Sequence, residues 1–151
     1  MKLSTRTRSG LRAMVDLAHQ HSNRPVMLRR ISERQEISKK YLDNIFTALR
    51  LSGLLRTVRG ASGGYLLAKD PKEIKVSEIV KALEGSVSPV DCIHQPDLCE
   101  KSADCVARQL WKELEVAMFR VLENRTLADL VERYEELNCL TSDEQGDGEK
   151  D

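Results

Sequence analysis

Gly60-Ala-Ser-Gly-Gly64 constrains this chain more than any other stretch. Three glycines in five residues supply backbone that turns through positive φ without a Cβ penalty, so the segment suits a turn and neither a helix nor a strand interior. On either side lie short runs suited to strands, Leu54-Leu-Arg-Thr-Val-Arg59 and Tyr65-Leu-Leu-Ala68. Together the three segments predict a β-hairpin over 54–68 with a basic first arm.

The residues around that hairpin carry helical periodicity. Over 9–21, Leu11, Met14, Val15 and Ala18 recur at three- and four-residue steps, the spacing of an amphipathic helix. After a turn at Asn23-Arg24-Pro25, residues 28–35 make a helix of barely two turns with Leu28 and Ile31 inward. Ile37-Ser38 interrupts it, and the Ser38 hydroxyl is placed to accept from an orphan N–H of a third helix. That helix runs to about Ser52. Its apolar face is Tyr41, Leu42, Ile45, Phe46 and Leu49, its polar face Lys40, Asp43, Asn44 and Thr47, and Gly53 ends it. Residues 76–83, closed by Gly85, form a short fourth helix.

Two short helices joined by a tight turn and followed by a hairpin predict a winged helix-turn-helix, with the helix-turn-helix at about 28–51 and the wing at 54–68. The expected fold class is mainly α with a small β-hairpin: a winged domain over 1–84 with a long dimerisation helix appended. Residues 85–105 read as a cysteine-bearing loop. From about 103 to 124, Ala107, Leu110, Trp111, Leu114, Ala117, Met118 and Val121 make a heptad-like stripe that needs a partner. A last helix carries Leu127, Leu130, Val131, Tyr134 and Leu137, so 103–140 is expected to hold the dimerisation helices. From Thr141 the tail is acidic and is expected to be disordered.

Charge separates the two halves of the chain. Residues 1–75 carry 16 basic and 6 acidic side chains, a net of +10, whereas 76–151 carry 8 basic and 18 acidic, a net of −10. A basic half joined to an acidic half is the signature of nucleic-acid binding confined to one part of the chain. The polar face of the third helix would present Ser38, Lys39, Lys40, Asp43, Asn44 and Thr47 to base edges and phosphates, and Arg59 would reach from the wing into a minor groove. The plainer reading of the same residues is a solvated face beside an ordinary turn. Aromatics make up only 4% of the chain, which disfavours a stacking platform for RNA. No catalytic grouping is evident, and the glycine cluster lacks the Lys-Ser/Thr of a phosphate-binding loop, so no enzyme is expected. Apolar runs fall far short of the roughly 18 residues a membrane span needs, and no secretory signal is seen; a cytoplasmic protein is expected.

In such a compartment four cysteines point to thiolate chemistry more than to disulfides. Cys92, Cys99 and Cys105 are spaced C-x6-C-x5-C in one loop, a set of soft ligands suited to an iron–sulfur cluster. Three unrelated structural or reactive thiols are the other reading. His94 is a candidate fourth ligand, with Asp91, Asp97, Glu100 and Asp104 also in reach. Cys139 lies some 34 residues beyond Cys105 and reads as a half-buried thiol.

Met1-Lys-Leu-Ser-Thr5, Ile31-Ser-Glu-Arg-Gln35, Ile37-Ser38, Tyr41-Leu42, Val58-Arg-Gly60 and Gly63-Gly-Tyr-Leu-Leu67 together resemble the Rrf2 family of bacterial regulators, and within it the iron–sulfur cluster regulator (IscR) branch. The similarity spans roughly residues 1–135. It implies that Ser38, Lys40, Tyr41, Asp43, Asn44 and Arg59 occupy positions that touch double-stranded operator DNA, and that the chain acts as a homodimer. It also implies a [2Fe–2S] cluster on Cys92, Cys99 and Cys105, with [4Fe–4S] as the runner-up. Three departures stand out. Asp43 and Asn44 are each one methylene shorter than the Glu and Gln common in that branch. One residue is inserted between the first two cysteines. Arg108 stands where the branch has a histidine ligand, and Arg8 stands where a nitric-oxide-sensing branch has an acidic one. The expected function is a homodimeric transcription factor sensing iron–sulfur, redox or nitric-oxide status. The alternative is a cluster-free regulator acting by thiol oxidation or by binding a partner protein.

Overall fold

The structure, a computed structural model, describes residues 2–20 and 23–144. Its elements in chain order are α1 (Thr5–His19), α2 (Leu28–Gln35), α3 (Lys39–Leu51), β1 (Leu55–Val58), β2 (Gly64–Leu67), α4 (Val76–Glu84), α5 (Val106–Glu123) and α6 (Leu127–Glu144), with 3-10 turns at Pro71–Glu73, Asp91–Ile93 and Pro96–Leu98. Mostly helical with one antiparallel hairpin, it has the fold class expected of the sequence. No helix among the described residues is long and apolar enough to cross a membrane.

The helix starts follow from local chemistry. Ser4 caps α1 by accepting from the Thr7 N–H at 3.2 Å, so the helix begins at Thr5, four residues earlier than apolar periodicity alone suggests. It ends at His19; the expected extension to His21 lies outside the described residues. Ser38 caps α3 by accepting from the Tyr41 N–H at 3.2 Å, as expected. The turn between α2 and α3 passes through Glu36 in the left-handed region, φ 54°, a conformation that composition does not announce because glycine is its usual occupant. Ser32 closes that turn, its hydroxyl donating to the Ile37 carbonyl at 2.6 Å.

Leu42, Ile45, Phe46 and Leu49 of α3 are buried against Ala13, Met14 and Leu17 of α1, Leu28 and Ile31 of α2, and Ile79 and Leu83 of α4. A Cβ on Gly10 would fall 2.3 Å from Leu83 Cδ1, so the close approach of α1 and α4 depends on that glycine. The hairpin pairs Leu55 with Leu67 and Val58 with Gly64. The segment before α2 adds one bridge to it: Val26 and Tyr65 exchange N–H···O bonds of 2.9 Å in both directions. A Cβ on Gly64 would sit 2.3 Å from the Val26 carbonyl oxygen, so glycine there is a condition of the wing lying against α2.

The last two helices differ in what they cover. α6 folds back on α1: Leu127 is fully buried in the main core, and the Tyr134 and His19 rings meet edge to face at 5.1 Å. α5 touches α4 and the turn at Asp91–Ile93 and has no buried residue. The acidic tail departs from expectation at its start, since the backbone remains helical through Glu144. Its residues up to that point include no glycine or proline to stop the helix, and the first glycine is Gly146. The remainder of the tail lies outside the described residues.

Candidate functional site

The exposed side of α3 is built by exclusion. Because Leu42, Ile45, Phe46 and Leu49 face the core, Lys39, Lys40, Asp43 and Asn44 are left in solvent, paired at four-residue steps (39 with 43, 40 with 44), and exposed Ser38 heads the same surface. Tyr41 is half-buried and packs against the core, which distinguishes it from the other residues expected to read DNA. Arg50 is exposed in the last turn. Arg59 follows directly on β1 and is exposed, as are Arg56 and Thr57.

Wing and α3 are fastened to one another. Tyr65 on β2 meets Phe46 on α3 edge to face, with centroids 4.9 Å apart. Burial raises the Tyr65 phenol above its ordinary value; the Asp43 charge pushes it the same way and Arg50 opposes, which places both α3 side chains in the field of the wing. α2 is held in turn by α1. Buried Asp16 accepts from Arg34 Nε at 2.9 Å and Nη2 at 2.7 Å and from Gln35 Nε2 at 3.2 Å, while Arg12 Nη2 donates to the Gln35 carbonyl at 2.9 Å. The first tie fastens the wing to α3 and the second fastens α2 to α1. Sequence reading missed the Asp16 clamp; an acid amid the apolar residues of the first helix was its only signal.

The cysteines lie along a second site. Cys92 is in the turn Asp91–Ile93, Cys99 ends the turn Pro96–Leu98, and Cys105 is the residue before α5. All are free thiols, Cys99 exposed and the other two half-buried; Cys139 on α6 is exposed, not half-buried as its position suggested. Arg108 crosses the base of the loop. Its Nε donates to the Cys92 carbonyl at 2.8 Å, Nη2 to Ile93 at 3.2 Å and Nη1 to Ser102 at 3.4 Å. The His94 imidazole meets Glu115 of α5, Nε2 to Oε1, at 2.7 Å. Three thiols and an imidazole on one segment fit an iron–sulfur cluster by donor chemistry. Among the described residues, however, no three His, Cys, Asp or Glu side chains are gathered tightly enough to hold a metal ion.

One face of α5 is left open. Val106, Leu110 and Val121 are 78%, 56% and 64% exposed, with Ala117 exposed and Leu114 half-buried on the same side. Met118, expected in that stripe, is half-buried instead and lines a cavity of about 420 Å³ with Leu3, Val87 and Leu122.

A family model described as "Rrf2: Iron-dependent Transcriptional regulator" matches residues 3–133. The chain is 42% identical over 131 residues to Protein rrf2 of Nitratidesulfovibrio vulgaris, covering 87% of each. It is 39% identical over 138 residues to the HTH-type transcriptional regulator IscR of Cronobacter sakazakii, covering 91% of this chain and 85% of that one. Among solved structures it resembles CymR, the global cysteine regulator of Bacillus subtilis, with a TM-score of 0.74, 35% identity, and coverage of 88% of this chain and 98% of that one.

Proposed function

This chain belongs to the Rrf2 family of transcriptional regulators, and from that premise we propose that it works as a homodimer whose grip on operator DNA follows the state of an iron–sulfur cluster on Cys92, Cys99 and Cys105. As a member of a regulator family it is not an enzyme. The single observation that carries the proposal is the position of the cysteine loop. It runs from the end of α4, which packs on α1 and α3, to the start of α5, whose apolar face is open to a second copy. A change in the loop therefore acts on the element that sets the spacing of two α3 helices.

Each residue has a part in this account. Ser38, Lys39, Lys40, Asp43 and Asn44 lie on the exposed surface of α3 that enters the major groove, and Tyr41 packs beside them to set the depth of entry. Arg59 reaches from the wing to the minor groove. Cys92, Cys99 and Cys105 would hold the cluster as thiolates, and such a cluster, [2Fe–2S] or in second place [4Fe–4S], would supply redox-sensitive chemistry. His94 stands in the same loop as a fourth donor. The loop's link to α5 is the route by which a change at these thiolates would alter the spacing of the two reading helices.

A second reading has its own support. The thiols are not gathered and Cys99 is exposed, which favours a cluster-free regulator working by thiol oxidation or through a partner protein. One experiment separates the two. Genomic duplexes are selected with anaerobically purified protein, and affinity for the selected sites is compared before and after iron chelation under reducing conditions. A change of tenfold or more in either direction is expected; equal affinities would favour the thiol switch.

A further inference from the structure

A cleft of about 640 Å³ opens between the wing and the segment that leads into α2, with Gln20, Arg24, Arg30, Arg34, Ser62 and Gly63 on its walls. No acidic residue is among the described residues that line it. Its three arginines differ in what they already hold. Arg34 is taken by buried Asp16, and Arg29, the neighbour of Arg30 on α2, pairs with Glu33 at 3.3 Å. Arg24 and Arg30 are exposed and meet no carboxylate among the described residues. Two unpaired guanidiniums beside one cleft raise its positive potential, and the planar donor fork of each matches the oxygens of a phosphate. The walls are fixed in advance, because the 2.9 Å bonds exchanged by Val26 and Tyr65 tie the wing to the segment before α2. An anion therefore meets a formed site, and little ordering cost is set against its binding.

The place of the cleft selects the anion. Ser62 follows Arg59 by three residues, so at most about 11 Å of chain separates them. With Arg59 in a minor groove about 6 Å wide, the phosphates that border that groove come within range of the cleft. We propose that in each chain Arg24 and Arg30 seat one backbone phosphate of the duplex in this cleft, at the edge of the groove that Arg59 enters. The assignment rests on the DNA-binding part of the reading above and is independent of the cluster. A phosphate contact carries no base information, so the cleft fixes the position of the wing on the duplex while α3 and Arg59 discriminate among sequences. A free polyphosphate shares the chemistry, and the test separates the two sources.

The full chain is titrated with selected and random fluorescent duplexes at stepped salt. Arg24→Ala combined with Arg30→Ala should weaken binding to both duplexes by the same factor, about tenfold or more. The log–log salt slope of the dimer should become less steep by about 2, one phosphate for each chain. Arg30→Lys, which keeps the charge, should keep the wild-type slope. A scan with single neutral methylphosphonates in the selected duplex then locates the contact. At one position in each half-site the wild type should lose about tenfold in affinity, while the double variant changes by less than twofold. Equal affinities of wild type and double variant, a loss confined to the selected duplex, or a scan with no position that separates the two proteins would overturn the assignment and leave the DNA-binding reading standing. Tripolyphosphate is the second probe, added to DNA-free protein in a calorimeter. Its binding to wild type and not to the double variant, together with a flat scan, would give the cleft to a free phosphate instead. A wild type without affinity for any duplex would overturn both readings.

Discussion

Glu84 shows how a single side chain fastens two helices that are far apart in the chain. Its Oε2 accepts from the Ser4 N–H at 3.2 Å, from the Ser4 hydroxyl at 2.7 Å and from the Thr7 hydroxyl, so the last turn of α4 holds the first turn of α1. The Thr7 and Ser4 hydrogen bonds hold its carboxyl below the usual carboxylate range. A carboxyl lowered on folding contributes stability that is present above its unfolded pKa and is lost as pH falls through the folded one. Glu84→Gln should therefore lower stability at neutral pH by less than about 1 kcal/mol, since the group is half-exposed. Below about pH 5 the variant should lose less stability per pH unit than wild type, as measured by urea unfolding at stepped pH. Parallel acid profiles would deny Glu84 that role. Residue-scale features of this kind were the least legible in the sequence. Ser38 announced itself as a cap because serine before a periodic run is a local signal, whereas Glu84, Asp16 and Glu115 act across 80, 18 and 21 residues of separation, which no local pattern encodes.

At the scale of elements the sequence was more informative. Glycine spacing located the wing and apolar periodicity located α3, because turns and amphipathic helices are set by neighbours in the chain. The stripe on α5 was legible too, but which of its residues stay open was not. Ala107, Leu110, Trp111, Ala117 and Val121 of the stripe are exposed, whereas Leu114 is half-buried and Met118 turns inward to line a cavity with Leu3, an assignment that depends on where α4 lies. Leu110→Asp should yield monomers, raising the dimer dissociation constant by tenfold or more in sedimentation experiments, while the winged domain stays folded, since α5 contributes no buried residue to the single chain. A variant that sediments as a dimer would move the interface off this face. The wing carries a second element-scale expectation. Arg59→Ala should weaken binding to selected sites about tenfold, roughly 1.4 kcal/mol, and binding to random duplex less, because an arginine in a narrow minor groove reads shape as well as charge. Equal losses on both duplexes would make it a phosphate anchor alone.

For the whole molecule the governing feature is the separation of charge, +10 over residues 1–75 and −10 over 76–151. Two basic halves presented by one dimer would displace many counterions from duplex DNA, so the log–log slope of affinity against salt should be on the order of −5 or steeper. A flat dependence would remove the electrostatic case for this surface. The cysteine loop belongs to the same scale, because it joins the basic half of the chain to the acidic helices. The presence of three thiols at loop spacing was legible; the closure by Arg108 and the Glu115 hold on His94 were not, since both depend on α5 running beside the loop. The central claim is that these thiols hold iron. Mössbauer spectroscopy with iron quantification on the anaerobically purified dimer tests it most directly. About two irons per chain, with spectra of a sulfur-ligated cluster that vanish when Cys92, Cys99 or Cys105 is changed singly to Ala and persist in Cys139→Ala, are the expected result. An iron-free dimer, or iron retained in any one of the three loop variants, would contradict it.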